Sequence, residues 1–588
     1  MPDALPLVNA ALACFTAPRM LRPFLVALAL GFGSAVAFQP LGWWPVMILA
    51  VSILCALIVR QATLGRALLV GWGFGVGQFT LGLNWIATAF TFQANMPAWL
   101  GWIAVVLLSL YLAVYPMIAA GLAWRFGRDR PLALVLALAG GWALTEWLRA
   151  TMFTGFAWNP LGVVLVDTPW RATSAFVGTY GLSAMVVAAG GFVWMAARRE
   201  WKAPAGFVAV MLLALALPKP VIEQDGLLRT FDVAESRANG ARVGDSEVRF
   251  TPIGRPKAAE RATPPAPPAP PPPVPTDRSA PPPVITATSA IDTGVWRIVQ
   301  PNIGQADKWR DGFERIAADK LAGLTAQPIA PEGPAGTVFW PEAAVTEPLV
   351  DERRAAESFV AYERLRATRA LMPGQLLATG GLALTSSDGV RVDGATNSVF
   401  VLNKAGRIVG RYDKSHLVPY GEYLPMRPVL SAIGLSRLAP GDLDFRPGPG
   451  PRTLALPNGA KMGVQICYEI IFSGEVVDRG TRPDYVFNPS NDAWFGAWGP
   501  PQHLAQAQLR AAEEGVPIIR ATPTGISAMI DVGGGLQETV GGGQAGVIDT
   551  FAMRATPPTP FARLGNAIPL LLGAILLVAG VALGRRRR

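Results

Sequence analysis

Cysteine, histidine and charge are all in short supply. The 588-residue chain has three cysteines, Cys14, Cys55 and Cys467, and two histidines, His416 and His503. A structural zinc site needs four Cys/His ligands close together. No spacing here supplies them, so no metal or other cofactor is expected. Three scattered thiols exclude a disulfide framework, and a Ser-His-Asp enzyme would have to use one of two histidines. Only 16% of residues are charged, against about 25% in an ordinary soluble domain. Apolar residues fill the gap, at 51% of the chain with mean hydropathy +0.33. The net charge of +10 raises the question of nucleic acid. Much of that charge, however, sits in short clusters beside apolar runs, including the Arg585 to Arg588 tail, and no nucleic-acid partner is expected.

Long apolar runs occupy 23–38, 43–59, 67–90, 98–124, 131–148, 173–196, 204–218 and 567–584. A helical span needs roughly 20 apolar residues, so these read as eight spans, the seventh being short. The first is expected to stay in the chain, because no small-residue cleavage site follows it and another span comes at once. Loop charges set the topology. Arg19 and Arg22, Arg60 and Arg66, Arg125, Arg128 and Arg130, and Arg198, Arg199 and Lys202 fall in alternate connections. Loops 39–42 and 91–97 carry no charge, and the loop with Arg149 and Arg171 is sparser. Both termini are therefore expected in the cytoplasm, with the region between spans seven and eight outside.

Residues 1–218 thus read as a seven-span domain. Residues 219–293 contain PPAPPAPPPPVP and few large apolar residues. Such a stretch cannot bury enough surface to offset its ordering entropy, and it reads as a disordered polyproline-type linker. In 294–565, short β-branched runs recur at Val295–Val299, Thr337–Trp340, Ser398–Leu402, Met462–Cys467, Tyr485–Asn488 and Pro517–Arg520. Helical patterns such as 353–371 and 502–514 lie between them. Strands alternating with helices predict a layered α/β domain. The eighth span and its Arg tail fill 566–588.

Cys467 is the one cysteine in that domain. A lone thiol in an oxidising compartment is a liability unless it is used or well buried. It ends the expected strand KMGVQIC before polar Tyr468 and Glu469, a junction suited to an exposed nucleophile. A buried apolar cysteine is the alternative. With no nearby His evident, a carboxylate could take the thiol proton and a cation could stabilise charge. Glu342 follows the apolar strand TVFW, where partial desolvation favours a proton acceptor. In RYDKSHLVPYGEYLP, Lys414 and Glu422 flank a proline turn, and Lys414 could stabilise an oxyanion. Taken singly, each also reads as an ordinary surface residue.

Glu342, Lys414 and Cys467, in that order on a strand-rich domain, resemble the Glu-Lys-Cys triad of the nitrilase (carbon–nitrogen hydrolase) superfamily. The words YDKSHLVPYGEYLP, ICYEIIF, SNDAWFG and QHLAQAQLRAAEEGVPIIRATPTGIS narrow the resemblance to the apolipoprotein N-acyltransferase family. In the membrane half FQPLGWWP, GLNWI and EWLR…TGFAWNPLG agree. Ala343 stands where serine is common, and Pro489 where a threonine-like residue is usual. The resemblance implies a polytopic membrane protein of eight spans carrying an α-β-β-α sandwich. It implies ping-pong acyl transfer: Glu342 deprotonates Cys467, the thiolate takes an acyl chain from a phospholipid, typically phosphatidylethanolamine, and the thioester passes to the α-amine of a diacylglyceryl-cysteine apolipoprotein. Lys414 and the Tyr468 backbone N–H would hold the oxyanion. Glu422 would orient Lys414, Glu469 would be a second carboxylate near the nucleophile, and Trp309, Asn397 and Tyr468 would line the site. The apolar, Pro-bounded segment 424–438 is expected to be an arm dipping into the bilayer. A monomer is expected. A membrane-tethered amidase would share the triad but would use water as acceptor. A transporter is disfavoured by the scarcity of charge within spans; Glu146 and Arg149 at a span end read as an interfacial pair.

Overall fold

The computed structural model describes residues 21–92, 97–216, 294–308, 310, 312–329, 335–432 and 443–585. Linker 219–293, Cys14, Trp309, the second half of the 424–438 segment and Arg586 to Arg588 lie outside the described residues.

Each apolar run of the membrane half is helical: Leu21–Ser34, Trp44–Val59, Leu64–Gly82, Trp99–Leu112 with Val114–Gly127, Pro131–Thr151, Ser174–Ala197, Lys202–Ala216 and Ala567–Arg585. Among the described residues, four helices are long and apolar enough to cross a membrane: Trp99–Gly127, Pro131–Thr151, Pro169–Ala197 and Ala567–Arg585. Leu21–Ala37, Trp44–Val59 and Lys202–Leu213 are apolar but shorter. Small residues set the close crossings, as expected where lipid gives no hydrophobic drive between helices. A Cβ on Gly77 would come within 2.1 Å of Leu28 O, and one on Gly140 within 2.4 Å of Gly573 O. The last helix is therefore seated against Pro131–Thr151 although over 400 residues separate them in sequence.

Two sheets build the α/β domain. The first contains β1 (Val295–Gln300), β2 (Ala335–Phe339), β3 (Pro348–Asp351), β4 (Leu376–Thr385), β5 (Gly394–Asn403), β6 (Ile408–Asp413) and β13 (Gly546–Phe551), in the order β13-β1-β2-β4-β5-β6 with β3 beside β4. The second contains β7 (Thr453–Ala455), β8 (Lys461–Val464), β9 (Tyr485–Pro489), β10 (Ile518–Ala521), β11 (Ser527–Ile530) and β12 (Leu536–Val540), in the order β12-β11-β10-β9-β8-β7. Strands β1, β2 and β4 run parallel, as do β8, β9 and β10.

Alternation along the strands sorts the layers. Trp296, Ile298, Phe339, Val399 and Val401 face Met462, Val464, Tyr485, Phe487 and Ile519 between the sheets. Their neighbours Val299, Val338, Leu377, Phe400 and Leu402 turn outward onto Leu321 and Ala367 of the covering helices. On the other side Val486, Ile518, Ala528 and Ile530 meet Leu504, Ala507 and Ala511 of helix Gly499–Glu514. The result is an α-β-β-α sandwich. Each large apolar side chain buried this way contributes about 1.5–3 kcal/mol.

Helix Gly499–Glu514 has a second neighbour. Its Ala505 and Leu509 join the core of the membrane half, so the helix is buried on both flanks. Its polar residues find partners across that seam. Trp158 Nε1 and Asn159 Nδ2 both donate to Gln502 Oε1, at 2.8 and 2.9 Å. The Thr179 backbone N–H donates to Glu513 Oε1 at 2.6 Å, and Arg510 pairs with Glu513 at 2.6 Å. Buried polar groups without such partners would cost about 1–3 kcal/mol each.

Candidate active site

The ends of the strands converge on one buried cluster. Three residues past the end of β2, Glu342 is buried. Its Oε1 accepts from Asn397 Nδ2 at 2.8 Å, and its Oε2 from the Asn491 backbone N–H at 2.7 Å. Ala343, which follows, has φ +47°, a left-handed conformation that costs a non-glycine residue energy. Lys414 is the first residue after β6. It is buried with Nζ 3.0 Å from Glu422 Oε1 and 3.6 Å from Glu342 Oε1. Burial alone would lower its pKa, but the carboxylates of Glu422 and Glu342 outweigh burial and hold it above the ordinary lysine value. Asn397, on β5, donates to both carboxylates, reaching Glu422 Oε1 at 2.9 Å.

Cys467 starts the short 3₁₀ turn Cys467–Ile471 after β8. The expected strand KMGVQIC stops at Val464, because the chain must leave the sheet to turn. Cys467 has φ +52°, again left-handed and strained for a side chain with a Cβ. It is 5% exposed. Burial, then the neighbouring Glu342 charge, push its thiol well above the ordinary 9.0, while Lys414 pulls the other way. Its electrostatic neighbours are the carboxylates of Glu342 and Asp492 and the lysine Lys414.

Glu469 is buried two residues on. Its Oε1 accepts from Tyr412 Oη, Ser415 N, Ser415 Oγ and His416 N at 2.7–3.1 Å, and its Oε2 from Ile466 N at 2.7 Å. It therefore ties the Lys414 turn to the Cys467 turn. Tyr468 is buried with its hydroxyl 3.3 Å from Gly155 O of the membrane half, and its ring lies edge-on to His416 and Phe472. Trp309 lies outside the described residues. Its neighbour Lys308 is buried, with Nζ 3.3 Å from Glu342 O. Burial lowers its pKa to about 8, with the Glu342 charge acting against that fall. In the 424–438 segment Leu424 is buried, whereas helix Arg427–Ala432 buries no residue and exposes Val429.

Sequence reading passed over Asn491, Asp492, His503 and Arg520. Asn491 and Asp492 sit in SNDAWFG and His503 in QHLAQ, so the words were visible but not the roles. His503 Nε2 is 3.0 Å from Cys467 O, and Nδ1 is 2.9 Å from Asp492 Oδ1. Arg520 Nη2 donates to Asp492 Oδ2 at 2.6 Å.

Residues 297–550 match the carbon-nitrogen hydrolase family model, and residues 30–192 match the model for the apolipoprotein N-acyltransferase N-terminal domain. A solved carbon-nitrogen hydrolase from Helicobacter pylori aligns over 51% of this chain and 97% of its own, at 13% identity and TM-score 0.32. An apolipoprotein N-acyltransferase from Bradyrhizobium diazoefficiens is 31% identical over 584 residues, covering 96% of this chain and 95% of its own. One from Rhodopseudomonas palustris is 30% identical over 574 residues, 94% of each chain. Both halves and the order that joins them are shared with these relatives, and the chain belongs to the apolipoprotein N-acyltransferase family.

Proposed function

We propose that this protein moves an acyl chain from a phospholipid to the α-amine of a diacylglyceryl-cysteine apolipoprotein, through a thioester on Cys467. The carrying observation is the meeting of Glu342, Lys414 and the strained, buried Cys467 at the ends of three strands from two sheets. Glu342 takes the thiol proton. The sulfur attacks the ester carbonyl, and Lys414 with the Tyr468 backbone N–H holds the oxyanion. The ester C–O bond breaks, Glu342 returns the proton to the departing lysophospholipid oxygen, and the thioester remains. In the second half the lipoprotein amine attacks that thioester. Glu342 takes the amine proton, the C–S bond breaks, the amide forms, and the proton goes back to the Cys467 sulfur. Glu422 and Asn397 hold Lys414 and Glu342 in place. Phosphatidylethanolamine is the proposed donor, and the working unit is a monomer.

The proposed arrangement has eight spans, drawn from the apolar runs, with both termini cytoplasmic and the sandwich on the periplasmic side of the inner membrane, drawn from the loop charges. The 424–438 arm would rest in the outer leaflet, where both acylated substrates reside. A spin label at Leu430 in nanodiscs should then report lipid contact; a dry, rigid interior would remove the arm from the scheme.

The deciding experiment incubates purified protein with phosphatidylethanolamine and follows Cys467 by mass spectrometry. A hydroxylamine-labile acyl adduct is expected, absent in Cys467→Ala and discharged by a diacylglyceryl-cysteine peptide. A folded wild-type protein without the adduct, or discharge to water alone, defeats the reading.

A further inference from the structure

We propose that His503 is a positioning residue of the acyl transfer, aiming and polarising the peptide that supplies the Tyr468 N–H to the oxyanion. This rests on Cys467 being the nucleophile. The Cys467 carbonyl and the Tyr468 N–H belong to one planar trans peptide unit and point in opposite directions. Whatever holds the carbonyl therefore aims the N–H. His503 Nε2 lies 3.0 Å from that carbonyl oxygen, with the ring fully buried. A carbonyl accepts only, so Nε2 carries the hydrogen and donates. A bond to the oxygen also polarises the amide and strengthens its N–H as a donor on the far side.

The other ring nitrogen is held for the same purpose. Nδ1 is 2.9 Å from Asp492 Oδ1 and 3.1 Å from Arg520 Nη2. A neutral ring can accept there from Arg520, and a charged ring can donate there to Asp492; in both states Nε2 keeps its hydrogen. Asp492 is fixed by Arg520, whose Nη1 also reaches Asn488 Oδ1 at 2.5 Å and Ser490 Oγ at 3.0 Å. The Trp158 ring from the membrane half lies 5.2 Å from the imidazole, and its Nε1 donates to Gln502, the next residue back. The seam between the halves thus runs through the residue that orients the nucleophile turn. This gives the left-handed Cys467 a partner that over-determines it, as a strained functional residue requires.

The test uses the full chain in phosphatidylethanolamine nanodiscs and measures acylation of Cys467. His503→Leu should slow the acylation step about 100-fold, the scale of a small misplacement of reacting groups, with the lipid KM unchanged. The Gln side-chain nitrogen reaches where Nε2 does, and the Asn nitrogen falls where Nδ1 does. His503→Gln should therefore recover much of the rate and His503→Asn should not. That comparison stands even if the Leu variant does not fold. Wild-type acylation rates in His503→Leu, or equal rates in the Gln and Asn variants, overturn the inference. A wild-type protein with no Cys467 adduct instead defeats the thioester reading beneath it.

Discussion

Gly380 lies against Glu342 with no room for a side chain. A Cβ built on Gly380 would stand 2.7 Å from Glu342 Cα and 2.5 Å from Ala343 N. Both contacts are backbone, so neither can swing aside. Gly380→Ala should push the Glu342 turn away from Asn397 and Asn491. Overpacking of this kind costs about 1–3 kcal/mol. Thermal unfolding should fall accordingly, and Cys467 acylation should fall further than stability explains; an unchanged acylation rate would mean that the turn tolerates the shift.

Glu342→Gln should slow acylation by about 10²–10⁴-fold, the range for losing a general base. The residual rate should have a characteristic pH dependence. Burial holds the Cys467 thiol above its ordinary value of 9.0, so thiolate is scarce at neutral pH. Without the carboxylate, acylation should follow thiolate and climb as pH rises into the alkaline range. A pH-independent residual rate would contradict this account.

Lys414 is held in its charged form by Glu422 and Glu342 despite burial. Glu422→Gln removes one charge-assisted bond, worth about 1.5–3 kcal/mol. The sign follows from linkage: a lysine raised above its ordinary 10.5 adds stability at every pH below that value, lost only as pH rises beyond it. Wild type and variant should therefore differ by a constant amount from pH 6 to 9 in thermal unfolding. A difference that vanishes at neutral pH would count against the pairing.

Lys308 should behave oppositely. Burial lowers its pKa from 10.5 to about 8, so between those values the unfolded chain binds the extra proton, and stability rises with pH there. Lys308→Met should flatten the unfolding temperature between pH 8 and 10. An unaltered slope would show that Lys308 is not its source.

Much of the sandwich was legible because strand period and apolar runs are local properties. Val295–Gln300, Gly394–Asn403 and Tyr485–Pro489 lie where β-branched runs predicted strands. The pattern at 462–467 predicts too long a strand, since alternation continues through Ile466 while the backbone leaves the sheet after Val464. Strands such as β7 and β12, at the sheet edges with exposed residues, carry too little apolar signal to be predicted from sequence.

Sequence by itself determined the two-part plan, the apolar helices, the lone cysteine of the α/β domain and the words around Glu342, Lys414 and Cys467, because each is written in contiguous residues. Tertiary structure alone decided what those residues touch. Asn397 bridges two carboxylates from different turns. Glu469, expected as a second carboxylate near Cys467, ties the Lys414 turn to the Cys467 turn. His503, in sequence only one of two scarce histidines, lies against the Cys467 carbonyl. Apart from the local Ile466–Glu469 bond, these contacts join residues tens of positions apart, and they form only when two sheets and a twice-buried helix close on one another.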